Sequence, residues 1–306
     1  MSPITLAGIC KGTKTRRPYP LSTFKNSGRN TAVRIPPEFA FSQNNLQDFV
    51  ECPRRFELRY LLRQPWPAIQ SQPVLEHEQH LRRGEIFHQM VQQHQIGLPV
   101  EQISAQAYDQ TLLGWWEDYL GSLPQPLPEK RYIEHILQMT HGNYRFLAKF
   151  DLIAVQSAEK IIIVDWKTGR RKPARTFLSR RIQTRLYPFL LWKCSAAFDR
   201  GISYEPEQIE MIYWFTADPL APEHFKYSRK QAEQDGEYLL ELVQQVEHCT
   251  QTYFPLTSQE QRCSLCVYRS LCNRGISAGS AEDEIDEEID DERLDIAFDQ
   301  IGETEF

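Results

Sequence analysis

Two apolar runs separated by five residues constrain this chain more than any other feature: "YRFLAKFDLIAV" at 144–155 and "IIIVDWK" at 161–167. β-Branched and aromatic residues at that density read as strands, and the short "QSAEK" between them makes the pair an antiparallel hairpin. A hairpin symmetric about Ser157 and Ala158 sets Val155 against Ile161, Ile153 against Ile163, and Asp151 against Asp165. Opposed residues share a face with Cβ atoms roughly 4.5–5.5 Å apart, and like charges placed so are destabilising. A divalent cation turns that cost into a binding site, because hard ions such as Mg²⁺ and Mn²⁺ take carboxylate oxygens. Lys167 lies two residues beyond Asp165 and projects from the same face. Two carboxylates holding a metal beside an ammonium suit phosphodiester hydrolysis: the metal polarises the phosphoryl oxygen and acidifies a bound water, and the lysine orients that water or meets developing negative charge. The plainer reading is that Asp165 and Lys167 mark the solvated end of a strand.

Around the hairpin the pattern is mostly helical. Ser42 is a suitable N-cap for a helix over 42–66 that Pro53 kinks or divides. A helix follows over 76–95, then a Pro-punctuated helical region to about residue 140. Beyond the hairpin, 174–198 reads as helix, "QIEMIYWFT" (208–216) as strand, and 228–249 as an amphipathic helix.

Charge divides the chain sharply. The net charge of −6 contains a segment, 276–306, with 13 acids and one arginine, which leaves residues 1–275 at +6. A basic body suits a polyanionic partner. The acidic segment reads either as a solvated, disordered tail or as a competitor for the same basic surface. The first 37 residues hold seven Lys or Arg and no acid, and read as an unstructured basic arm, with an organelle transit peptide as the other reading. No run of 18 apolar residues is present, so no membrane span is expected. Seven cysteines, an odd number with no export signal, point to thiols kept reduced in the cytoplasm rather than to a disulfide framework.

"FDLIAV" followed by "IIIVDWKTGR" resembles the second and third motifs of the PD-(D/E)XK nuclease superfamily, in its RecB-like branch, which includes CRISPR-adaptation nucleases. The resemblance implies a restriction-endonuclease-like α/β core, a central mixed sheet flanked by helices. It makes Asp151 and Asp165 metal ligands, with the backbone carbonyl of Trp166, and Lys167 the catalytic lysine. The branch's G-x-x-x-H motif is present as "GEIFH", which implies that His88 is a third ligand; Glu85 is either a supporting acid or a surface charge. Its Q-x-x-x-Y motif is present as Gln183 and Tyr187, one helical turn apart, and implies a place along the substrate path. Ala148 stands where a glycine is common, and Pro188 is expected to kink the helix after Tyr187. Beyond the motifs, Arg170, Arg171, Lys172, Arg175, Arg180, Arg181 and Arg185 fall within sixteen positions that hold no acid. That density reads as a phosphate-backbone footprint or as a solvated helix face.

"CSLCVYRSLC" places Cys263, Cys266 and Cys272 close together, and Cys52 is the candidate fourth soft ligand. Four thiolates suit a tetrahedral zinc or an iron–sulfur cluster, and spacing does not choose between them. One cysteine ahead of the nuclease motifs and three behind resembles the iron–sulfur subset of the branch. It implies a [4Fe-4S] cluster on a flap that joins both ends of a domain spanning 41–275. No Walker A motif occurs, so a helicase half is absent from this sequence. The combined expectation is a Mg²⁺- or Mn²⁺-dependent exonuclease acting on DNA single strands or ends in repair or recombination, with a possible helicase or integrase partner. A CRISPR-adaptation nuclease that trims spacers and a non-catalytic iron–sulfur DNA-binding module are the rival readings.

Overall fold

A computed structural model describes residues 8–10, 34–65, 73–123, 127–264 and 266–276. Most of the expected basic arm (1–40) and nearly all of the acidic tail (276–306) lie outside the described residues. The first described elements are two short strands, β1 (Gly8–Cys10) and β2 (Ala40–Phe41), so four residues of the arm, 8–10 and 40, are in a sheet. Helix α1 (Gln43–Glu51) starts at Ser42, whose hydroxyl accepts from Asn45 N–H while the Asn45 side chain accepts from Ser42 N–H. Pro53 ends that helix and opens α2 (Pro53–Phe56), which runs into a π-helical turn at Glu57–Leu61. Then come α3 (Pro73–Gln95), α4 (Val100–Ser104) and α5 (Gln110–Ser122).

The helical expectation up to residue 140 fails here: Lys130–His141 is a twelve-residue strand, β3. It turns through Gly142 and Asn143 into β4 (Tyr144–Gln156), with His141 paired to Tyr144. Gly142 has φ +62°, the left-handed conformation that a two-residue hairpin turn requires and a β-carbon resists. Strand β5 (Lys160–Lys167) pairs antiparallel with β4 in the expected register, Val155 with Ile161 and Ile153 with Ile163. The last rung joins Leu152 to Val164, and Asp151 and Asp165 come next beyond it.

Helices α6 (Arg175–Leu178) and α7 (Ile182–Cys194) precede β6 (Ile209–Phe215). Strand β7 (Glu223–Lys226), α8 (Arg229–Gln251) and the short α9 (Gln261–Ser264) and α10 (Arg269–Cys272) complete the chain. Helix α7 runs on through Pro188. The seven strands form one mixed sheet in the order β1-β3-β4-β5-β6-β7, with β2 beside β4. Pairing of β5 with β6 is parallel, as is that of β1 with β3 and of β2 with β4. Cys194, buried at the end of α7, is disulfide-bonded and not the reduced thiol expected.

The sheet separates two apolar layers. On one face α1, α7 and α8 bury Leu46, Phe49, Ile182, Leu186, Leu190 and Leu239 against Phe150, Ile153, Ile163 and Met211. On the other, α3 and α5 bury Phe87, Met90, Trp116 and Tyr119 against Leu152, Val164, Trp166 and Trp214. Helix α8 meets α7 at Gly236, where an added β-carbon would lie 2.9 Å from Cε2 of Phe189. Gly236→Ala is therefore expected to destabilise the fold by about 1–3 kcal/mol through overpacking. Urea unfolding measures it as a lower midpoint at unchanged slope; a wild-type midpoint would mean that Phe189 gives way.

Candidate active site

The site forms where β4 and β5 separate. Along β3 and β4 every residue from Lys130 to His141 has a rung partner except Glu134, which should face Asp151. Glu134 has φ +50°, a conformation that costs an L-residue about 1–2 kcal/mol. Across this point the strands change face. Phe150 belongs to the α7 layer and Leu152 to the α3 layer, two residues apart where simple alternation would keep them together. The kink opens the end of the sheet into a cavity of about 270 Å³, lined by His88, Glu134, Lys149, Asp151, Asp165, Lys167, Gln183 and Tyr187, among others.

Each side chain is held by its element. Phe87 stacks on Trp214 with centroids 5.8 Å apart, which fixes the rotation of α3. The next residue, His88, then reaches the middle of β4, with Nδ1 3.5 Å from Asp151 Oδ2. The same Asp151 oxygen accepts from the Trp166 backbone N–H at 3.0 Å, replacing a ladder bond with a side-chain one. On β5, Asp165 is buried; its Oδ1 accepts from Gln183 Nε2 at 2.6 Å, and its Oδ2 lies 3.0 Å from Lys167 Nζ. Lys167 Nζ also stands 5.9 Å from the ring centre of Tyr213, a residue in register with Asp165 on β6. Tyr187 is buried beside Phe150, with centroids 4.6 Å apart.

The start of α7 is fixed from outside the helix. Gln47 Oε1, on α1, accepts from Ile182 N–H at 3.1 Å and so satisfies one of the donors a helix leaves open at its N-terminus. Gln183 is therefore positioned one residue into a helix that α1 caps. Through its bond to Asp165 it stands at the carboxylate that Lys167 also meets.

The electrostatics of the cavity are tense. Burial pushes the Asp151 carboxyl up to about 7; His88 opposes the rise, Asp165 and Glu134 add to it, and the Trp166 N–H opposes it. The carboxylates of this donor set suit hard cations such as Mg²⁺ and Mn²⁺, and the imidazole is the one softer donor beside them. Among the described residues, no three His, Cys, Asp or Glu side chains are drawn into a ready metal-ligand arrangement. Asp165 instead holds Gln183 and Lys167, and Asp151 holds the Trp166 amide.

The structure brings His88, Asp151, Asp165, Lys167, Gln183, Tyr187 and Glu85 to one cavity. It adds Glu134 and Lys149, which the sequence reading missed. Glu134 and Lys149 form an ion pair. Lys149 sits two residues before Asp151, mirroring Lys167 two residues after Asp165, and that symmetry was the available signal.

The basic run is largely paired with acids of the fold. Lys172 lies 3.2 Å from Asp218 and 3.1 Å from Glu223; Arg175 is 2.8 Å from Glu223. Arg181 is 3.3 Å from Glu51, and Arg185 is 3.1 Å from the buried Asp235. Arg170, Arg171 and Arg180 are exposed.

Cys52, Cys263, Cys266 and Cys272 line a second, small pocket together with Arg55, Tyr268 and Arg274. All four are free thiols. Burial pushes the Cys266 and Cys272 thiols up, and Cys52 adds to the rise in both. Arg262, next to Cys263, lies 3.3 Å from Glu51, next to Cys52, so an ion pair fastens the two cysteine-bearing segments.

No helix among the described residues is long and apolar enough to cross a membrane. No curated protein matches this chain. Two solved structures are similar to it at low identity. The crystal structure of a protein named SSO0001 is 14% identical, with 80% of this chain and 90% of that one covered and a TM-score of 0.38. A Eubacterium rectale protein provisionally named an exonuclease is 10% identical, with 82% and 94% covered and a TM-score of 0.47. The family model of the PD-(D/E)XK nuclease superfamily matches residues 40–273, a span that contains both cysteine segments and the whole cavity. With that match over most of its length, and with Asp151, Asp165 and Lys167 at the end of one hairpin, the chain belongs to the PD-(D/E)XK nuclease superfamily.

Proposed function

We propose that this chain is a divalent-cation-dependent deoxyribonuclease of the RecB-like branch, acting as an exonuclease on DNA single strands or ends. One observation carries the reading: in a chain of this superfamily, Asp151, Asp165, His88 and Lys167 line the same cavity at the open end of a hairpin. His88, Asp151, Asp165 and the Trp166 carbonyl would hold Mg²⁺ or Mn²⁺. The ion, when bound, would polarise the phosphoryl oxygen and lower the pKa of a water. Gln183 fixes the Asp165 carboxylate, and Lys167 orients the attacking water or meets the charge that develops on phosphate. Tyr187 closes the cavity wall beside them.

Cys52, Cys263, Cys266 and Cys272 would hold a [4Fe-4S] cluster. Convergence of four free thiols on one pocket supports this, and the chemistry of the set admits zinc as the alternative. Such a group would staple segments more than 200 residues apart, a tie that Arg262 and Glu51 already make. Visible absorbance of anaerobically purified protein distinguishes the two: a colourless protein with one zinc per chain overturns the cluster.

Lys167→Ala tests the mechanism. Cleavage of end-labelled single-stranded DNA with Mn²⁺ is expected to fall roughly 10²–10³-fold in kcat. A variant that degrades the strand as fast as wild type would overturn the assignment. Mononucleotide products released from a labelled end support exonuclease action, and internal fragments overturn it.

A further inference from the structure

The hairpin carries a mirrored pair of triplets, Lys149-Phe150-Asp151 on β4 and Asp165-Trp166-Lys167 on β5. Extended beyond its last rung, the β4–β5 register sets Lys149 across from Lys167 just as it sets Asp151 across from Asp165. The two lysines nevertheless reach the cavity from different sides. Lys149 lies between Ala148 and Phe150, which both pack in the α7 layer, so its own side chain starts from the α3 face. Lys167 shares the α7 face with Ile163 and Asp165. Both line the cavity, and each is partly open to it, with side chains 26% and 20% exposed.

Lys167 is engaged by a carboxylate that the proposed cation also needs; Lys149 is engaged by Glu134, which no motif assigns. Glu134 reaches that position from the single backbone residue of β3 with a left-handed φ, at the single register position in the β3–β4 ladder that lacks a rung. A strained residue at a cavity wall is a place where the fold holds a side chain in a set position. What it holds is the Lys149 ammonium, in the cavity that Lys167 also lines.

We propose that Lys149 is a second phosphate-binding cation, held by Glu134, which engages a phosphate of the nucleic acid strand next to the one that reacts. The inference rests on the nuclease reading above and deepens it. A strand crossing the open end of the sheet meets Lys167 at the reacting phosphate and Lys149 at its neighbour. Lys149 thereby sets the register of the backbone against Asp151 and Asp165. Glu134 is a positioning residue; it touches Lys149 and not the substrate.

The test is equilibrium binding of a fluorescein-labelled single-stranded oligonucleotide to the full chain in EDTA, over a series of salt concentrations. Each phosphate neutralised on a single strand contributes about −0.7 to the slope of log K against log salt. Lys149→Gln is expected to weaken binding several-fold at low salt and to make the slope shallower by about 0.7. The double variant Glu134→Gln/Lys149→Gln separates this role from a structural one. If Lys149 serves only to neutralise Glu134, removing both charges restores the wild-type slope, and the proposal is overturned. If it binds phosphate, the double variant keeps the shallow slope. An unchanged slope in Lys149→Gln, against a wild-type chain that binds, overturns this inference alone. A wild-type chain that binds no oligonucleotide, in EDTA or with Ca²⁺ in its place, overturns the nuclease reading and takes the inference with it.

Discussion

Replacing Asp151 with asparagine is expected to stabilise the metal-free protein while abolishing cleavage. Burial, with Asp165 and Glu134, lifts the Asp151 carboxyl from its ordinary 3.8 to about 7. The folded state therefore holds this proton more tightly than the unfolded chain does. That contribution to stability is fully present below the unfolded value near 4 and is lost as pH rises through about 7. Above pH 7 the wild type carries the whole penalty, at most about 4 kcal/mol. Asparagine keeps an oxygen to accept the Trp166 amide and removes the charge, so it avoids most of that penalty. Thermal melts in EDTA from pH 4 to 8 test the point. The wild type should lose stability relative to the variant across that range and regain it when Mg²⁺ or Mn²⁺ is added, whereas the variant should not respond to the ion. Parallel pH profiles for the two proteins would show that Asp151 is not strained by its surroundings.

Glu51→Ala is expected to cost about 1–3 kcal/mol, the range for leaving partly buried charged groups without a partner. Burial alone would push the Glu51 carboxyl up, but Arg55, Arg181 and Arg262 together hold it below the usual range. Its oxygens meet Arg55, Arg181 Nη1 at 3.3 Å and Arg262 Nη1 at 3.3 Å, and accept from Gln47 Nε2 at 3.0 Å. Alanine would take that carboxylate from Arg181 and Arg262, while Arg55 keeps Asp48, 2.7 Å away. Urea unfolding gives the magnitude, and thiol labelling gives the location. Because Arg262 adjoins Cys263, labelling of Cys52, Cys263, Cys266 and Cys272 should accelerate in the variant even where the fold survives. A loss below 1 kcal/mol with unchanged labelling would show that the network is redundant.

The hairpin was legible because two independent signals agreed, β-branched density and a short polar connection, and these set the register as far as Leu152 and Val164. Strand β3 was hidden. "KRYIEHILQMTH" mixes charged, polar and apolar residues without clean alternation, and the structural cause is the kink at Glu134, which turns the strand over halfway along. A period that changes phase in mid-strand cannot be recognised as a period of two. Strand β7 has four residues at the sheet edge, too few for a pattern. The cavity residues His88, Asp151, Asp165 and Lys167 were found through short local motifs. Glu134 and Lys149 were missed because their significance depends on the pairing of β3 with β4. The basic run shows the converse. Its lack of local acids read as free positive charge, but Glu51, Asp218, Glu223 and Asp235 arrive from elsewhere in the chain.

The ties between distant segments also set a clock. Tyr268 donates to the Gln64 carbonyl across 204 residues, and Arg181 reaches Glu51 across 130. At about 5–20 residues per second of synthesis, the first of these partners waits roughly 10–40 s for the other to be made. Until residues 181 and 182 are made, α1 has no Arg181 to meet and no α7 to cap, and until residue 262 is made Glu51 has no Arg262. A ribosome-bound fragment ending before residue 260 therefore carries every residue of the cavity but neither Arg262 nor Tyr268, so it lacks the far ends of two ties that fasten the first helices to the last segment.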